Sequence, residues 1–230
     1  MKVQIWSDVM CPFCYIGKKN FEKSLANLAF KDEIEIEWKS FQLDPTLSET
    51  SGEFTSKQYL MEKKGFSESQ YNQMQERLNE MGKAAGIDFS VANPIAANTL
   101  KAHKILHLAK QFGKQNEMEE LLFKAHFEKG LNVAGTNVLL DLGKQVEIDA
   151  DSIHKALNDE TIAYEVQQDI LEARSIGVSG VPFFVLNNKY AVSGAQPAEV
   201  FTDAMQQAFS EIQNLNTTND ANSCSIDGCD

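Results

Sequence analysis

Two cysteines separated by two residues, Cys11 and Cys14, lie between a short apolar segment and an amphipathic one. Residues 3–7 are rich in Val, Ile and Trp, which is typical of a buried strand. From residue 14 to residue 30 the apolar side chains recur at roughly helical spacing. The sequence therefore predicts a strand that ends just before a CxxC motif, with the motif at the first turn of a helix. This order of strand, dithiol and helix restricts the fold more than any other part of the chain.

The first turn of a helix changes the chemistry of a cysteine. Unpaired backbone N–H groups and the helix dipole point at the side chain there and favour its thiolate. We expect Cys11 to attack a substrate disulfide, or to be attacked by a substrate thiolate, and Cys14 to resolve the mixed disulfide. Pro12 suits the first turn because the N–H that proline lacks would have no partner there. A structural disulfide between the two cysteines is the plainer alternative.

The strand pattern returns once after the first helix and then gives way to a long helical region. Residues 33–39 alternate charged with apolar side chains, which predicts a half-exposed strand. Between residues 45 and 175 amphipathic segments follow one another with helix start and stop signals, such as the capping-box pair Ser67 and Gln70. We expect residues 45–175 to form an all-helical insertion domain, and residues 1–44 and 176–212 to form one α/β domain around it.

The C-terminal part of that domain returns to strand composition. Residues 182–186 and 190–192 flank an Asn-Asn pair, which predicts a hairpin, and residues 197–212 have the spacing of an amphipathic helix. A glycine-containing loop precedes Pro182. A cis bond between Val181 and Pro182 would leave the backbone before the proline free to pair with an extended substrate. A trans proline at the start of an edge strand explains the same residues equally well.

The charge and hydropathy of the whole chain disfavour several partners. The chain has 230 residues and a formal net charge of -12, which argues against nucleic acid and anionic membranes as partners. No segment approaches the ~20 apolar residues of a membrane span, and the first residues show no secretory signal. We therefore expect a cytoplasmic protein. In that compartment closely spaced cysteines are more often redox-active or metal-binding than structural.

Cys224 and Cys229 form a second pair near the C-terminal end. Residues 214–223 are polar, and we interpret residues 213–230 as a flexible tail. A coil of about 11 residues spans about 17–20 Å, so Cys224 would reach Cys11. Our hypothesis is that Cys224 and Cys229 are an auxiliary dithiol that exchanges with the first pair or relays electrons to another protein. The alternatives are an inert tail and a zinc site with Cys11 and Cys14, as in a zinc-stabilised binding or chaperone module.

Three motifs together resemble a known family. They are SD followed by CPFCYIG within residues 7–17, GVSGVPFF at residues 177–184 and SGAQ at residues 193–196. Over residues 1–212 the chain resembles the DsbA-like thioredoxin superfamily, and more closely its FrnE branch. The resemblance implies an α/β thioredoxin fold, with a large all-helical insertion between an N-terminal βαβ part and a C-terminal ββα part.

The resemblance also implies an activity, thiol-disulfide exchange with protein or peptide substrates. Carried over by position, Cys11 is the attacking cysteine, Cys14 the resolving cysteine, and Val181 and Pro182 the cis-proline pair at the substrate-binding surface. Phe13, between the cysteines, is assigned to the same surface, and it departs from the family because periplasmic DsbA enzymes carry histidine there and the FrnE branch commonly carries tryptophan. No metal and no cofactor is implied beyond the redox-active cysteines, with glutathione as a candidate reductant.

A second enzyme class shares part of this pattern. The glutathione-dependent isomerases and transferases of the kappa-class and hydroxychromene-carboxylate-isomerase branch typically present a serine or a single cysteine at the nucleophile position. Because both Cys11 and Cys14 are present, we favour disulfide oxidoreductase or isomerase chemistry and keep the glutathione-dependent class as the alternative.

Overall fold

The strands form a four-stranded sheet and a separate two-stranded sheet. The computed structural model describes residues 1–49, 52, 54–89 and 93–222. Its strands are β1 (Lys2–Ser7), β2 (Glu35–Ser40), β3 (Phe54–Thr55), β4 (Ile95–Ala96), β5 (Phe183–Leu186) and β6 (Tyr190–Ser193). The larger sheet has the order β2-β1-β5-β6, with β1 parallel to β2 and antiparallel to β5. The strand that ends just before Cys11 therefore lies in the interior of the sheet, and the predicted thioredoxin-like α/β fold is confirmed.

Nine α-helices, two of them continued by a π-helical turn, connect and cover these strands in the described part of the chain. They are α1 (Pro12–Ala26), α2 (Ser56–Gln58) with the π-helical turn Tyr59–Lys63, α3 (Glu68–Ala84), α4 (Leu100–Gln111), α5 (Gln115–Phe123) with the π-helical turn Lys124–Glu128, α6 (Thr136–Gln145), α7 (Ala150–Leu157), α8 (Glu160–Ser175) and α9 (Ala198–Asn222). The predicted capping box of Ser67 and Gln70 starts α3. Among the described residues, no helix combines the length and the apolar character needed to cross a membrane.

Both faces of the larger sheet are covered by helices. On one face α1 and α9 pack through Phe21 and Phe201, whose rings lie 5.6 and 4.6 Å from the ring of Phe184 in β5. On the other face α8 approaches β1, and Trp6 Nε1 donates a hydrogen bond to the backbone oxygen of Asp169 at 2.9 Å. The second face is therefore closed by helices of the chain between β2 and β5.

The helices on the sheet make β2 more buried than its sequence predicts. The alternation of residues 33–39 predicts that the charged face is exposed, but Glu37 is only 7% exposed. Lys2 forms an ion pair with Glu37 at 2.8 Å, and Lys110 of α4 forms a second one. Burial alone acts to raise the pKa of Glu37, but the hydrogen bonds from these lysines lower it to about 2. The predicted half-exposed strand therefore needs a correction at Glu37, where lysines of the same chain take the place of water, whereas Glu33 and Glu35 are exposed as predicted.

The predicted hairpin is confirmed, including its turn. Phe184 pairs with Val192 and Leu186 with Tyr190. The first two residues of the turn, Asn187 and Asn188, have φ angles of 51° and 55°. Asparagine tolerates this left-handed conformation. Lys189, the third residue between the paired Leu186 and Tyr190, donates its backbone N–H to the Leu186 carbonyl oxygen at 3.1 Å.

Two features differ from the sequence-based expectations. The segment 45–175, predicted to be all-helical, also contains the antiparallel pair of β3 and β4. Strands of two residues are too short to produce an alternation pattern.

The last helix is longer than predicted. Helix α9 continues to Asn222, whereas the predicted helix ends at residue 212 and the predicted tail begins at residue 213. No proline or glycine occurs between residues 213 and 222, so nothing in the backbone chemistry stops the helix there. The division into two domains stays a prediction.

The direction of α9 determines where the C-terminal end of the described chain lies. Ser24 of α1 contacts Thr202 at 2.7 Å, and the ring of Phe30 stacks on Phe209 at 3.9 Å. The second contact lies later in the chain than the first in both segments, with Phe30 just after the end of α1. Helix α9 therefore runs parallel to α1 and away from Cys11. Residues 223–230, with Cys224 and Cys229, lie outside the described residues.

Candidate active site

Cys11 occupies the position that the strand-dithiol-helix pattern predicts. It is the N-cap residue of α1, with an extended backbone (φ -91°, ψ 111°), and Pro12 is the first helical residue. The backbone N–H groups of Cys14 and Tyr15 donate to the Cys11 carbonyl at 3.0 and 3.4 Å. Cys11 is 4% exposed and Cys14 is fully buried, and both are free thiols. Cys11 is thus the less buried of the two cysteines, and the attacking and resolving roles stay predictions.

The loop before β5 lies against this dithiol. The Val181–Pro182 peptide bond is cis, and the Cys11 Sγ donates a hydrogen bond to the Val181 carbonyl oxygen at 3.5 Å. Gly17 of α1 makes this approach possible, because a Cβ at that position would lie 2.8 Å from Pro182 Cγ. The structure therefore brings Cys11, Val181 and Pro182 together across about 170 residues of chain.

Burial dominates the environment of the second thiol. It raises the pKa of Cys14 well above its ordinary value, and the hydrogen bond and charge interaction with Cys11 act in the same direction. Hydrogen bonds from the Ser7 side chain and the Asp8 backbone act against this shift but are outweighed. Cys14 is therefore held as a thiol and needs a proton acceptor before it can attack a disulfide.

A buried carboxyl group lies one hydrogen bond beyond Ser7. The Ser7 Oγ donates to Glu119 Oε1 at 2.8 Å, Glu119 is 1% exposed, and its Oε2 has no hydrogen-bond partner among the described residues. Burial raises the pKa of Glu119 to about 7, against the lowering effects of the Ser7 hydrogen bond and of the nearby His103 and Lys18. A carboxyl group that titrates near neutral pH is suited to exchange protons with a nearby thiol.

Glu119 is not among the residues predicted from the sequence, because α5 lies in the middle of the chain, far in sequence from Cys11 and Cys14. A signal was present: Glu119 lies three and four residues before Leu122 and Phe123, both fully buried, so it shares their inward face. Nearby, His126 is 1% exposed, and burial lowers its pKa to about 4. The buried polar cluster under the dithiol is thus contributed mostly by helices of the segment 45–175.

Asp8 and His107 have hydrogen-bond partners within the protein, whereas neither ring nitrogen of His103 has one among the described residues. The Asp8 carboxylate accepts hydrogen bonds from the backbone N–H of Leu43 at 2.7 Å and of Met10 at 3.3 Å, as expected of a turn residue. His107 lies within hydrogen-bond distance of Asp169, 3.1 Å away, and His103 is buried 3.6 Å from Asp8. In the chain as described, no three His, Cys, Asp or Glu side chains are arranged to hold a metal ion.

A cavity opens beside the reactive sulfur. Its volume is about 690 Å³, and Cys11, Pro12, Phe13 and Val181 line one wall. The opposite wall is formed by the π-helical turn Tyr59–Lys63 and by α3. We call this cavity the active-site cleft. Phe13, predicted at the substrate-binding surface, is partly buried at its edge.

Comparisons with known proteins agree with this geometry. The chain matches the model of the DsbA-like thioredoxin domain over residues 2–206. It is 37% identical to a probable DsbA oxidoreductase from Streptomyces coelicolor, with a TM-score of 0.85 and coverage of 92% of this chain and 91% of that one.

More distant similarities extend over most of the chain. The uncharacterized protein YwbO of Bacillus subtilis is 27% identical over 208 residues, which cover 88% of this chain and 94% of YwbO. The structure of the cytosolic disulfide reductase DsbM from Pseudomonas aeruginosa aligns over 95% of this chain and 100% of DsbM, with a TM-score of 0.63 and 12% identity.

Proposed function

The chain belongs to the DsbA-like thioredoxin domain family, and from that premise we propose that it exchanges disulfides with protein or peptide substrates through Cys11 and Cys14. The observation that carries the proposal is the position of Cys11 Sγ, at a helix N-terminus, 3.5 Å from the Val181 carbonyl oxygen and on the wall of an open cleft. An N-terminal helical position favours the thiolate needed for attack, and the cleft gives a substrate disulfide access to it.

The exchange takes two steps. In the first, the Cys11 thiolate attacks one sulfur of the substrate disulfide, a bond forms between the two sulfurs, and the other substrate sulfur leaves as a thiolate. In the second, Cys14 loses its proton and attacks Cys11 Sγ, which releases the remaining substrate thiolate. The substrate disulfide is reduced to two thiols, and Cys11 and Cys14 are oxidised to a disulfide. The same steps in reverse oxidise a substrate dithiol.

Ser7 and Glu119 supply a route for the Cys14 proton. Ser7 lies close enough to Cys14 to act on the pKa of its thiol, and the Ser7 Oγ donates to Glu119 Oε1 at 2.8 Å. We propose that the proton passes to the Ser7 hydroxyl as the Ser7 proton passes to the Glu119 carboxylate. This explains why a fully buried thiol can become a nucleophile without contact with water.

Substrate binding is assigned to the surface around the cis peptide bond. We propose that an extended substrate pairs with the backbone at Val181, with Pro182 and Phe13 beside its cysteine. The reaction needs no cofactor beyond the cysteines, and we place it in the cytoplasm, where a reducing thiol pool returns the dithiol to its reduced form. The assignment to the FrnE branch stays a prediction. The net direction of the reaction, which is oxidation, reduction or isomerisation, is left open by the proposal.

Trapping of mixed disulfides tests the proposal. In Cys14→Ala the second step is blocked, so Cys11 is expected to accumulate covalent adducts with cellular proteins that reducing agent releases. The matched control is the double variant Cys11→Ser with Cys14→Ala, which should trap none. If Cys14→Ala traps no protein while the wild type turns over a small molecule with glutathione, the glutathione-dependent isomerase or transferase class replaces this proposal.

The auxiliary role of Cys224 and Cys229 is proposed in a narrower form. Because α9 runs away from Cys11, we propose that this pair passes electrons between copies of the chain or to another protein rather than to Cys11 of its own chain. The same direction argues against a zinc site shared by all four cysteines. One zinc ion per chain in metal analysis, with no insulin-reductase activity, would instead support the zinc-stabilised module.

A further inference from the structure

Helix α8 carries the largest share of the exposed apolar side chains in the described part of the chain. Seven large hydrophobic side chains are exposed there, and three of them, Tyr164, Leu171 and Ile176, belong to α8 and its C-cap residue. Tyr164 is 63% exposed and Leu171 is 45% exposed. Because they are seven residues apart, they lie on the same side of the helix, about two turns from each other. Two such side chains on one solvent-facing side indicate a contact surface.

Three polar residues complete a row along this side of α8. Glu160, Tyr164, Gln167, Leu171 and Arg174 follow one another at spacings of four, three, four and three residues. Side chains at these spacings form one seam when a helix packs along a second helix. All five residues are exposed. We call this row the α8 seam.

The side chains of the α8 seam are not used in the fold. No hydrogen bond or ion pair joins the side chain of Tyr164 or Arg174 to another described residue. The acidic residues on the flank of the helix differ in this respect, because Glu165 forms an ion pair with α4 and Glu172 forms one with β2. The charges of the α8 seam therefore remain available to a partner.

We propose that the α8 seam is the interface of a homodimer, in which the α8 helices of two copies pack antiparallel about a twofold axis near Gln167. In this arrangement Glu160 lies opposite Arg174 of the partner subunit, and Tyr164 lies opposite Leu171 of the partner subunit. Each charge meets the opposite charge, and each apolar side chain meets an apolar one. A surface that is complementary to itself is what a twofold dimer requires. A parallel arrangement would place like charges together at both ends.

The charge of the chain favours a second copy at this surface. The net charge of -12 makes most of the surface of one copy repel another copy. The α8 seam contains one glutamate and one arginine, so its own net charge is zero and two copies meet there without that repulsion. Tyrosine and arginine are also enriched at protein interfaces. A strongly acidic or strongly basic partner would gain nothing from a surface with no net charge.

The length of the α8 seam predicts a weak dimer. Helix α8 has 16 residues, and the distance from Glu160 to Arg174 along its axis is about 21 Å. One pair of helices of this length buries less area than the ~1,600 Å² of a standard protein interface. We therefore expect a dissociation constant on the order of 10–100 µM.

Sedimentation velocity of the full-length protein tests the inference. Between about 1 and about 500 µM, in a reducing agent that excludes disulfide-linked dimers, the wild type is expected to pass from monomer to dimer. Arg174→Glu and Glu160→Arg each place like charges opposite each other at both ends of the α8 seam, so each should weaken association at least about 10-fold. Lys144→Glu makes the same charge change as Arg174→Glu at an exposed position of α6. It should leave association within about twofold of the wild type, because salt screens distant charges.

A mixture of the two charge variants tests the antiparallel order. Arg174→Glu mixed with Glu160→Arg again has opposite charges at both ends of the α8 seam. The equimolar mixture should therefore associate like the wild type, although neither variant does so alone. Circular dichroism checks that each variant is folded. If one is not, Gln167→Glu replaces it as a test of the surface, because it places two carboxylates near the twofold axis and should weaken association at least about 10-fold.

Each outcome bears on a separate part of the inference. A wild type that stays monomeric over the whole range overturns the homodimer. Dimerisation that is as strong in the charge variants and in Gln167→Glu as in the wild type overturns the assignment to the α8 seam. A mixture that stays monomeric, while the wild type dimerises, overturns the antiparallel order. The proposed disulfide exchange at Cys11 is unaffected by all three results.

Discussion

At the scale of single residues, Gly17 shows how closely the two halves of the site approach each other. Glycine in the interior of a helix normally costs about 0.5–1 kcal/mol relative to alanine, so alanine should stabilise an ordinary helix. In α1 the added Cβ would lie 2.8 Å from Pro182 Cγ. Helix propensity and tertiary contact therefore predict opposite effects at this position.

We expect the tertiary contact to dominate in Gly17→Ala. The variant should lose about 1–2 kcal/mol of unfolding free energy, since overpacking costs more than helix propensity returns, and its disulfide exchange should slow because Pro182 and Val181 are displaced from Cys11. Urea denaturation and insulin reduction measure the two effects. Lys23→Ala, at an exposed position of the same helix, is the control and should change neither. If Gly17→Ala is more stable than the wild type, Pro182 moves away from the added Cβ without a loss of unfolding free energy, and the prediction is wrong.

Glu119 is the residue whose environment predicts a pH dependence. Its pKa in the folded chain is about 7, compared with an ordinary value of 4.5. The stability associated with this raised pKa is fully present below about pH 4.5 and is lost as the pH rises through about 7. Glu119→Gln cannot titrate. Its unfolding free energy, relative to wild type, should therefore rise over this range by up to about 3 kcal/mol and stay level above it.

Denaturation midpoints and slopes measured from pH 4.5 to pH 8 check this expectation. Glu117→Gln changes the same residue type at an exposed position of α5 and should show no such rise. A pH-independent difference for Glu119→Gln would contradict the raised pKa. The same variant should resolve the mixed disulfide at Cys11 more slowly, because Ser7 then has no carboxylate to accept its proton.

At the scale of elements, Asp169 ties helix α8 to the edge strand β2. Its carboxylate accepts hydrogen bonds from Lys39 Nζ at 2.9 Å and from the backbone N–H of Ser40 at 2.9 Å, and His107 Nε2 lies 3.1 Å away. Burial acts to raise the pKa of Asp169, but these partners together lower it. One side chain thus joins α4, α8 and β2, and it closes the sheet edge that the sequence alone predicts to be half-exposed.

Asp169→Asn should therefore destabilise the protein by about 1–3 kcal/mol at neutral pH, because it removes the buried carboxylate that Lys39, His107 and the backbone N–H of Ser40 share. Chemical denaturation measures the change. Glu172→Gln removes the second, 43% exposed partner of Lys39 and should cost less than about 0.5 kcal/mol. Because the Asp169 pKa is lowered by folding, the difference between Asp169→Asn and wild type should shrink as the pH falls below about 4. Equal effects of the two substitutions would contradict the special role of Asp169.

At the scale of the whole molecule, the length and direction of α9 separate the two cysteine pairs. A helix rises about 1.5 Å per residue, so the distance from Cys11 to Ala26 along α1 and the distance from Phe209 to Asn222 along α9 add to about 40 Å. Two further extended residues span at most about 7 Å. Disulfide exchange requires the two sulfurs to be in contact. While α9 is helical to Asn222, Cys224 is therefore too far from Cys11 of the same chain to exchange with it.

We expect the double variant Cys224→Ser with Cys229→Ser to reduce a peptide disulfide as fast as wild type in a single turnover at low protein concentration. An effect of the tail pair should emerge only as the protein concentration rises, because exchange between copies is bimolecular. Alkylation and mass spectrometry of Cys11 measure both regimes. A loss of rate in the double variant that is independent of protein concentration would instead show exchange within one chain.

Local patterns along the sequence were sufficient for much of the fold and for the two site cysteines. The strand before Cys11, the helix that starts at Pro12, the capping box at Ser67 and the Asn187-Asn188 turn all depend on interactions among residues close in sequence. Short-range hydrogen bonds and side-chain periodicity determine these features, so a single sequence contains them. The end of α9 was missed because polar residues without proline or glycine are compatible with both coil and helix.

The sequence by itself determined that a dithiol begins a helix after a buried strand, and which family that arrangement resembles. Only the tertiary structure decided that Val181 faces Cys11, that Glu119 reaches Ser7 from the middle of the chain, and that α3 forms part of the wall opposite the reactive sulfur. The physical reason is that these contacts join residues up to 170 positions apart. Their distances and burial depend on how whole elements pack, and no local preference of the chain encodes that packing.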